Sequence, residues 1–230
     1  MMINFSQRQN IYQGEILRLP QQFLPLAEQV EDLWEECFSQ PLSLFVPDHT
    51  TWDKVSLIRQ SLQQDRYKSL AYNLLGVPNA RIFGLSFRLL HPNLPSHINN
   101  TALCLHRDTW YNLPEHSINV WVAITGCIKE NTFRLYPSFF DQKVEIVNYV
   151  DASSTQDTTI FPQAPPDIVK NEVFVSVEGN KGDALAFSSH HLHQSCHTPT
   201  TVRASLDFRF VVEGEEDLGP LFQDVLRSAF

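Results

Sequence analysis

The sequence predicts an α+β fold, mainly β: a double-layered barrel or jelly roll with helices packed on one side. Three observations carry this. Apolar residues recur at helical spacing before residue 80 and at a period of two after it. About eight short alternating segments, separated by turn residues, fill the second part, which is the pattern of a sandwich or barrel. The length of 230 residues suits one such unit, because all-β domains often run to about 200–250 residues. One domain is therefore expected over 1–230. It divides into a strand and helical cover in 1–79, a β core in 80–212 and a tail helix in 213–230.

The elements follow in order. "IYQGEILRLP" (11–20) reads as a first strand closed by Pro20. In 21–38, Phe23, Leu26, Ala27, Val30, Leu33, Trp34 and Cys37 make one apolar stripe, so a helix is expected. Thr50 and Asp53 form a T-x-x-D box ahead of Val55, Ile58 and Leu62, predicting a second helix. "RYKSLAYNLLG" (66–76) predicts a third, stopped by Gly76. Strands are expected at 80–92, 101–108, 117–126, 131–137, 143–149, 172–179, 183–189 and 203–212. Residues 150–171 lack a period and carry three prolines, so they read as a long surface loop. That loop and 92–100 are expected lids. Residues 213–230 read as an acidic turn and a short helix with Pro220 near its start.

Composition excludes several classes of function. The chain is 43% hydrophobic and 19% charged, which is globular rather than disordered. A net charge of −9 without a Lys/Arg cluster argues against nucleic-acid binding. Nothing reaches the roughly 18 apolar residues of a membrane span. Cys37, Cys104, Cys127 and Cys196 form no C-x-x-C pair and no leader is apparent, so free thiols in the cytoplasm are expected. A small-molecule partner remains.

The candidate chemistry starts at "CLHRDTWYNLPEH" (104–116). On a strand, His106 and Asp108 project from one face with Cα atoms roughly 6–7 Å apart, close enough to share an ion. Arg107 projects the other way. A nitrogen and an oxygen donor suit Fe(II), and a second histidine completes a facial triad. Alone the pair means little, because roughly half an H-x-D is expected by chance in such a composition. Further along, "GDALAFSSHHLHQSCHTPTTVRASLDFRF" (182–210) places His193 87 residues after His106 and Arg203 ten residues later. His191 shares the strand parity of His193. A guanidinium grips a carboxylate through two parallel hydrogen bonds, and Ser205 faces the same side as Arg203. Arg209 has the same parity but lies roughly 20 Å along the strand, so a structural salt bridge or a place at the cavity mouth suits it better.

The order H-x-D, H, R-x-S resembles the Fe(II)/2-oxoglutarate-dependent oxygenases, and most closely their phytanoyl-CoA-dioxygenase-like branch of small biosynthetic hydroxylases. "HRDTWY", Asn119 with Trp121, Glu130-Asn131 with Pro137, and the ending from Phe187 to Arg209 carry the similarity, which covers roughly residues 80–212. One departure is His197-Thr198, where such proteins often carry asparagine. The resemblance implies a double-stranded β-helix, a cupin-like jelly roll. It implies iron on His106, Asp108 and His193, the far carboxylate of 2-oxoglutarate on Arg203 and Ser205, and O2 as oxidant, with ascorbate as reductant in vitro. The family's "HLHxS" pattern favours His193 over His191. Asn119 is placed to donate to 2-oxoglutarate, while Trp110 and Tyr111 are candidate substrate contacts at the rim. Halogenating members replace the carboxylate with a small residue. Asp108 thus implies hydroxylation, desaturation or cyclisation of a small metabolite, with succinate and CO2 as co-products. No strong charge clamp stands among the expected rim residues, which argues against phosphate- or coenzyme A-borne substrates. Two rivals stand beside this reading: a cupin-like metalloenzyme that uses no keto acid, and a non-catalytic jelly-roll binding module.

Overall fold

A computed structural model describes residues 6–39, 49–92, 104–111, 117–150, 160–176, 178–196 and 200–214. Four helices, α1 (Ser6–Tyr12), α2 (Leu24–Phe38), α3 (His49–Leu62) and α4 (Asp65–Leu75), accompany ten strands. The strands are β1 (Leu17–Leu19), β2 (Ala80–Leu90), β3 (Ile118–Ala123), β4 (Phe133–Tyr136), β5 (Val147–Val150), β6 (Ile160–Gln163), β7 (Val175–Ser176), β8 (Ala184–Ser188), β9 (Leu192–Ser195) and β10 (Arg203–Val212). They form an antiparallel five-stranded sheet ordered β1-β8-β3-β10-β2, a three-stranded sheet β7-β4-β9 and a β5-β6 ribbon.

The central strands β8, β3 and β10 of the large sheet are buried on both faces, and strand parity divides their residues between two jobs. Ile118, Val120 and Val122 of β3 and Ala204, Leu206, Phe208 and Phe210 of β10 join the core built with α2 and α4. Those helices present Leu26, Ala27, Val30 and Trp34, and Tyr67, Leu70, Ala71, Leu74 and Leu75. Phe23 stacks on Tyr67 at 5.1 Å and meets Phe208 edge-on at 5.7 Å, while Trp34 stacks on Phe87 at 4.4 Å. Each such aromatic contact adds about 0.5–1.5 kcal/mol beyond its area burial. On the opposite face, Trp121, Ala123, Leu185 and Phe187 pack against Phe133 and Leu135 of the small sheet. The space between the two sheets therefore receives Arg203, Ser205, Asp207 and Arg209 of β10.

The Gly-Asp turn locks the helical layer to the sheet. Gly182 donates to Ala123 O and accepts from Phe23 N, and a Cβ there would lie 2.4 Å from Leu24 Cα. Its φ of +85° is a second obstacle to any side chain. Gly182→Ala is therefore expected to lower stability by roughly 2–4 kcal/mol, read from the urea midpoint. Next to it, Asp183 accepts hydrogen bonds from Gln21 N, Gln21 Nε2 and Asn180 N, each at 2.8 Å. Burial raises its carboxyl pKa, but those bonds outweigh it and hold the group below its ordinary value. A depressed folded pKa gives stability that is present above the unfolded pKa and lost as pH falls through the folded one. Asp183→Ala should thus cost roughly 1–3 kcal/mol at neutral pH. Urea titrations should show the gap to wild type closing below the carboxylate range.

Several predicted boundaries change. Of 11–20 only Leu17–Leu19 is a strand, since residues 6–12 coil into α1 and bury Ile11. α3 starts at His49, so Thr50 lies inside the first turn and not at the cap. The tract 143–149 is strand only from Val147, and the described residues of 172–179 hold a strand at Val175–Ser176 and an isolated bridge at Gly179. Residues 160–171, expected as loop, form β6 and a 3-10 turn at Pro166–Val169 that buries Val169. The rest of the two expected lids, His197 and the tail helix lie largely outside the described residues. None of the described helices is long and apolar enough to cross a membrane. All four cysteines are free thiols.

Candidate metal centre

The segment 104–108 is not the regular strand that its sequence predicts. His106 makes a single antiparallel bridge to His193, with N–H to carbonyl bonds of 2.9 Å in both directions. Asp108 opens a 3-10 turn, Asp108–Tyr111. The two side chains still converge, because the bridge fixes His106 beside β9 and the turn folds Asp108 back over it. One donor atom from each of His106, Asp108 and His193 lies within 4.8 Å of the others, and all three residues are buried.

Their surroundings orient each donor. His106 Nδ1 donates to Cys104 O at 2.7 Å, and His193 Nδ1 donates to His191 O at 2.8 Å. A nitrogen facing a carbonyl carries the proton, so both Nε2 lone pairs are left to point inward. They stand 3.6 and 3.8 Å from Asp108 Oδ1. Burial and the neighbouring His106 bring His193 down to about 3, which keeps it neutral and able to ligate. Burial raises the Asp108 pKa, but the charges that face it, Arg209 first, outweigh it and hold the carboxyl well below its ordinary value.

Asp108 Oδ2 is held from the sheet. Arg209 Nη2 donates to it at 3.1 Å, and the Asn119 amide donates as well. Asn119, expected to face 2-oxoglutarate, thus has its amide on Asp108, and its Oδ1 accepts from Ser189. Arg209 shares the face of β10 that carries Arg203, Ser205 and Asp207, and the ladder to β2 is irregular between Asp207 and Arg209. Gly84 sits in that irregularity at φ +61°, where a Cβ would lie 3.0 Å from Arg209 Nη1. Arg107 points away, as its parity predicts, and donates to the Phe139 and Gln142 carbonyls.

A second group of polar atoms lies deeper. Arg203 is fully buried; its Nη2 donates to Ser195 Oγ at 3.2 Å, while its Nε and Nη1 lack hydrogen-bond partners among the described residues. Ser205 Oγ and Trp121 Nε1 are likewise buried without partners. Burial pulls Arg203 down to about 10. One cavity joins Trp121 and Ser195, beside this group, to His106, Asp108 and His193. Arg88 and Asp207 also line it, paired through Nε and Oδ2 at 2.6 Å.

The aromatics after Asp108 stay off that lining. Trp110 packs against the cluster of Leu105, Tyr136, Ala164, Val169 and Leu192. Tyr111 meets the His106 ring edge-on at 5.2 Å and donates its hydroxyl to Pro162 O at 3.1 Å. Neither expected substrate contact therefore faces the cavity, because the 3-10 turn carries both rings toward β6. His191 is buried, with its two ring nitrogens at 3.2 Å from Ser188 O and 3.1 Å from Gly14 O.

Residues 10–203 match the phytanoyl-CoA dioxygenase (PhyH) family. No curated protein matches the sequence. Solved structures similar to this one include EvdO2 from Micromonospora carbonacea var. aurantiaca complexed with 2-oxoglutarate. Its TM-score is 0.66 at 13% identity, over 96% of both chains. SnoK, a non-heme alpha-ketoglutarate-dependent carbocyclase from nogalamycin biosynthesis, gives a TM-score of 0.59 at 13% identity, over 99% of this chain and 90% of its own. EctD from S. alaskensis with bound Fe gives 0.54 at 12% identity, over 90% and 76%.

Proposed function

The chain belongs to the phytanoyl-CoA dioxygenase family, and from that premise we propose that it is a non-haem Fe(II)/2-oxoglutarate-dependent dioxygenase. It oxidises a small metabolite and is a single double-stranded β-helix domain. The observation that carries this reading is the pairing of two features, one lining the cavity and the other buried next to it. One is a buried donor set of two imidazoles and a carboxylate. The other is a buried guanidinium, with Nε and Nη1 unpartnered, and a buried hydroxyl that likewise has no partner among the described residues.

Both features fit the groups the family uses. His106, Asp108 and His193 would hold the iron, leaving coordination positions open. Arg203 and Ser205 would take the far carboxylate of 2-oxoglutarate, which supplies the partners those buried atoms lack. When bound, iron and 2-oxoglutarate supply O2-dependent oxidation of the substrate, with succinate and CO2 as co-products. The chain's own part is to fix geometry. Asn119 and Arg209 hold Asp108 Oδ2 so that Oδ1 faces the imidazoles, and the Cys104 and His191 carbonyls set both tautomers. Trp121, Phe133 and Phe187 exclude water from the cavity between the sheets.

The test is anaerobic loading with Fe(II) and 2-oxoglutarate, then admission of O2 with ascorbate present. Slow succinate formation without substrate is expected. Calorimetry that detects no 2-oxoglutarate binding to the iron-loaded protein overturns the assignment and favours a cupin-like enzyme without keto acid.

A further inference from the structure

We infer that Arg88, held by Asp207 at the open side of the cavity, is the recognition group for a carboxylate on the substrate, so that the oxidised metabolite is a small organic acid. This rests on the dioxygenase reading above.

Strand register brings Arg88 here. It lies opposite Ser205 on the β2–β10 ladder, on the face that carries Arg203, Asp207 and Arg209. Its Nε donates to Asp207 Oδ2 at 2.6 Å, and its two terminal nitrogens have no other hydrogen bond among the described residues. That anchored guanidinium presents a planar pair of donors with no acceptor among the described residues, the geometry that suits a carboxylate. The Arg88 and Asp207 side chains are 27% and 17% exposed. Arg203, assigned to the co-substrate, is fully buried, so incoming substrate meets Arg88 first.

Charge balance points the same way. The lining holds two cations, Arg88 and Arg209, against two anions, Asp108 and Asp207, and the fully buried Arg203 beside it adds a third cation. Iron adds two positive charges and 2-oxoglutarate two negative ones, so the loaded site keeps one net positive charge. In a space this dry an uncompensated charge is costly, and a monoanion neutralises it.

The experiment uses the full chain loaded anaerobically with Fe(II) and saturating 2-oxoglutarate. Propionate serves as the probe and propionamide as its uncharged match. Binding is read as broadening of the probe's proton resonances by the paramagnetic iron, while the visible band of the iron–keto-acid chelate reports co-substrate. Saturable broadening by propionate with the band retained is expected. Propionamide should give none, and Arg88→Gln should weaken propionate at least tenfold while 2-oxoglutarate affinity stays within threefold. The inference is overturned if propionate gives no saturable broadening, if propionamide broadens equally, or if Arg88→Gln leaves propionate binding unchanged. It is also overturned if Arg88→Gln weakens 2-oxoglutarate tenfold, which makes Arg88 a co-substrate ligand. A wild-type protein without the chelate band fails the dioxygenase reading itself, and the charge count with it.

Discussion

Asp108→Ala is expected to lower iron affinity at least a hundredfold and to bring succinate formation to background. It is also expected to weaken the fold. Two effects meet in one side chain. The carboxylate is the single anion of the donor set and the counter-ion of Arg209, with Oδ1 facing the imidazoles and Oδ2 facing Arg209 and Asn119. Truncation leaves Arg209, 7% exposed, as a buried cation without its partner. Breaking a buried pair from one side costs about 3–5 kcal/mol. Asp108→Asn separates the two effects. Its amide oxygen can still accept from Arg209, so much of the stability should return, while the neutral amide remains a poor ligand. Metal analysis after anaerobic loading and urea denaturation read the two quantities independently. Wild-type iron affinity in Asp108→Ala removes this residue from the donor set.

The site was legible where alternation governs it. Counting by two along β10 puts Arg203, Ser205 and Arg209 on one face, and they share it. The predicted salt-bridge role of Arg209 rested on distance from Arg203, and its partner is Asp108. The H-x-D argument assumed a strand, whereas a bridge and a 3-10 turn bring the two donors together. β9 escaped notice because "LHQS" buries histidine and serine where a strand normally buries apolar side chains. β6 escaped because Pro162 and its neighbours read as loop; an edge position in a two-stranded ribbon tolerates that proline. Arg88 was hidden inside an apolar strand. No local pattern says which buried face a lone arginine meets; the pairing with Ser205 across strands distant in sequence says it.

Arg203→Met should separate binding from stability in opposite directions. Loss of a buried, bidentate charge partner costs about 2–5 kcal/mol, so 2-oxoglutarate affinity should fall roughly 30- to 4,000-fold. Iron affinity should hold, because no hydrogen bond joins Arg203 to the donor set. Without ligand the same guanidinium is a liability. It is fully buried, Nε and Nη1 are unpaired, and burial already pulls its pKa down to about 10. An apolar side chain of similar length removes that penalty, so the ligand-free fold should be unchanged or more stable by up to about 4 kcal/mol. Arg203→Lys keeps the charge and loses the fork, and its 2-oxoglutarate affinity should fall between the two. Calorimetric titration with 2-oxoglutarate and urea denaturation of the three proteins check the pattern. A residue kept only for the fold gives the reverse: Arg203→Met unfolds more easily, and its 2-oxoglutarate affinity stays within threefold of wild type.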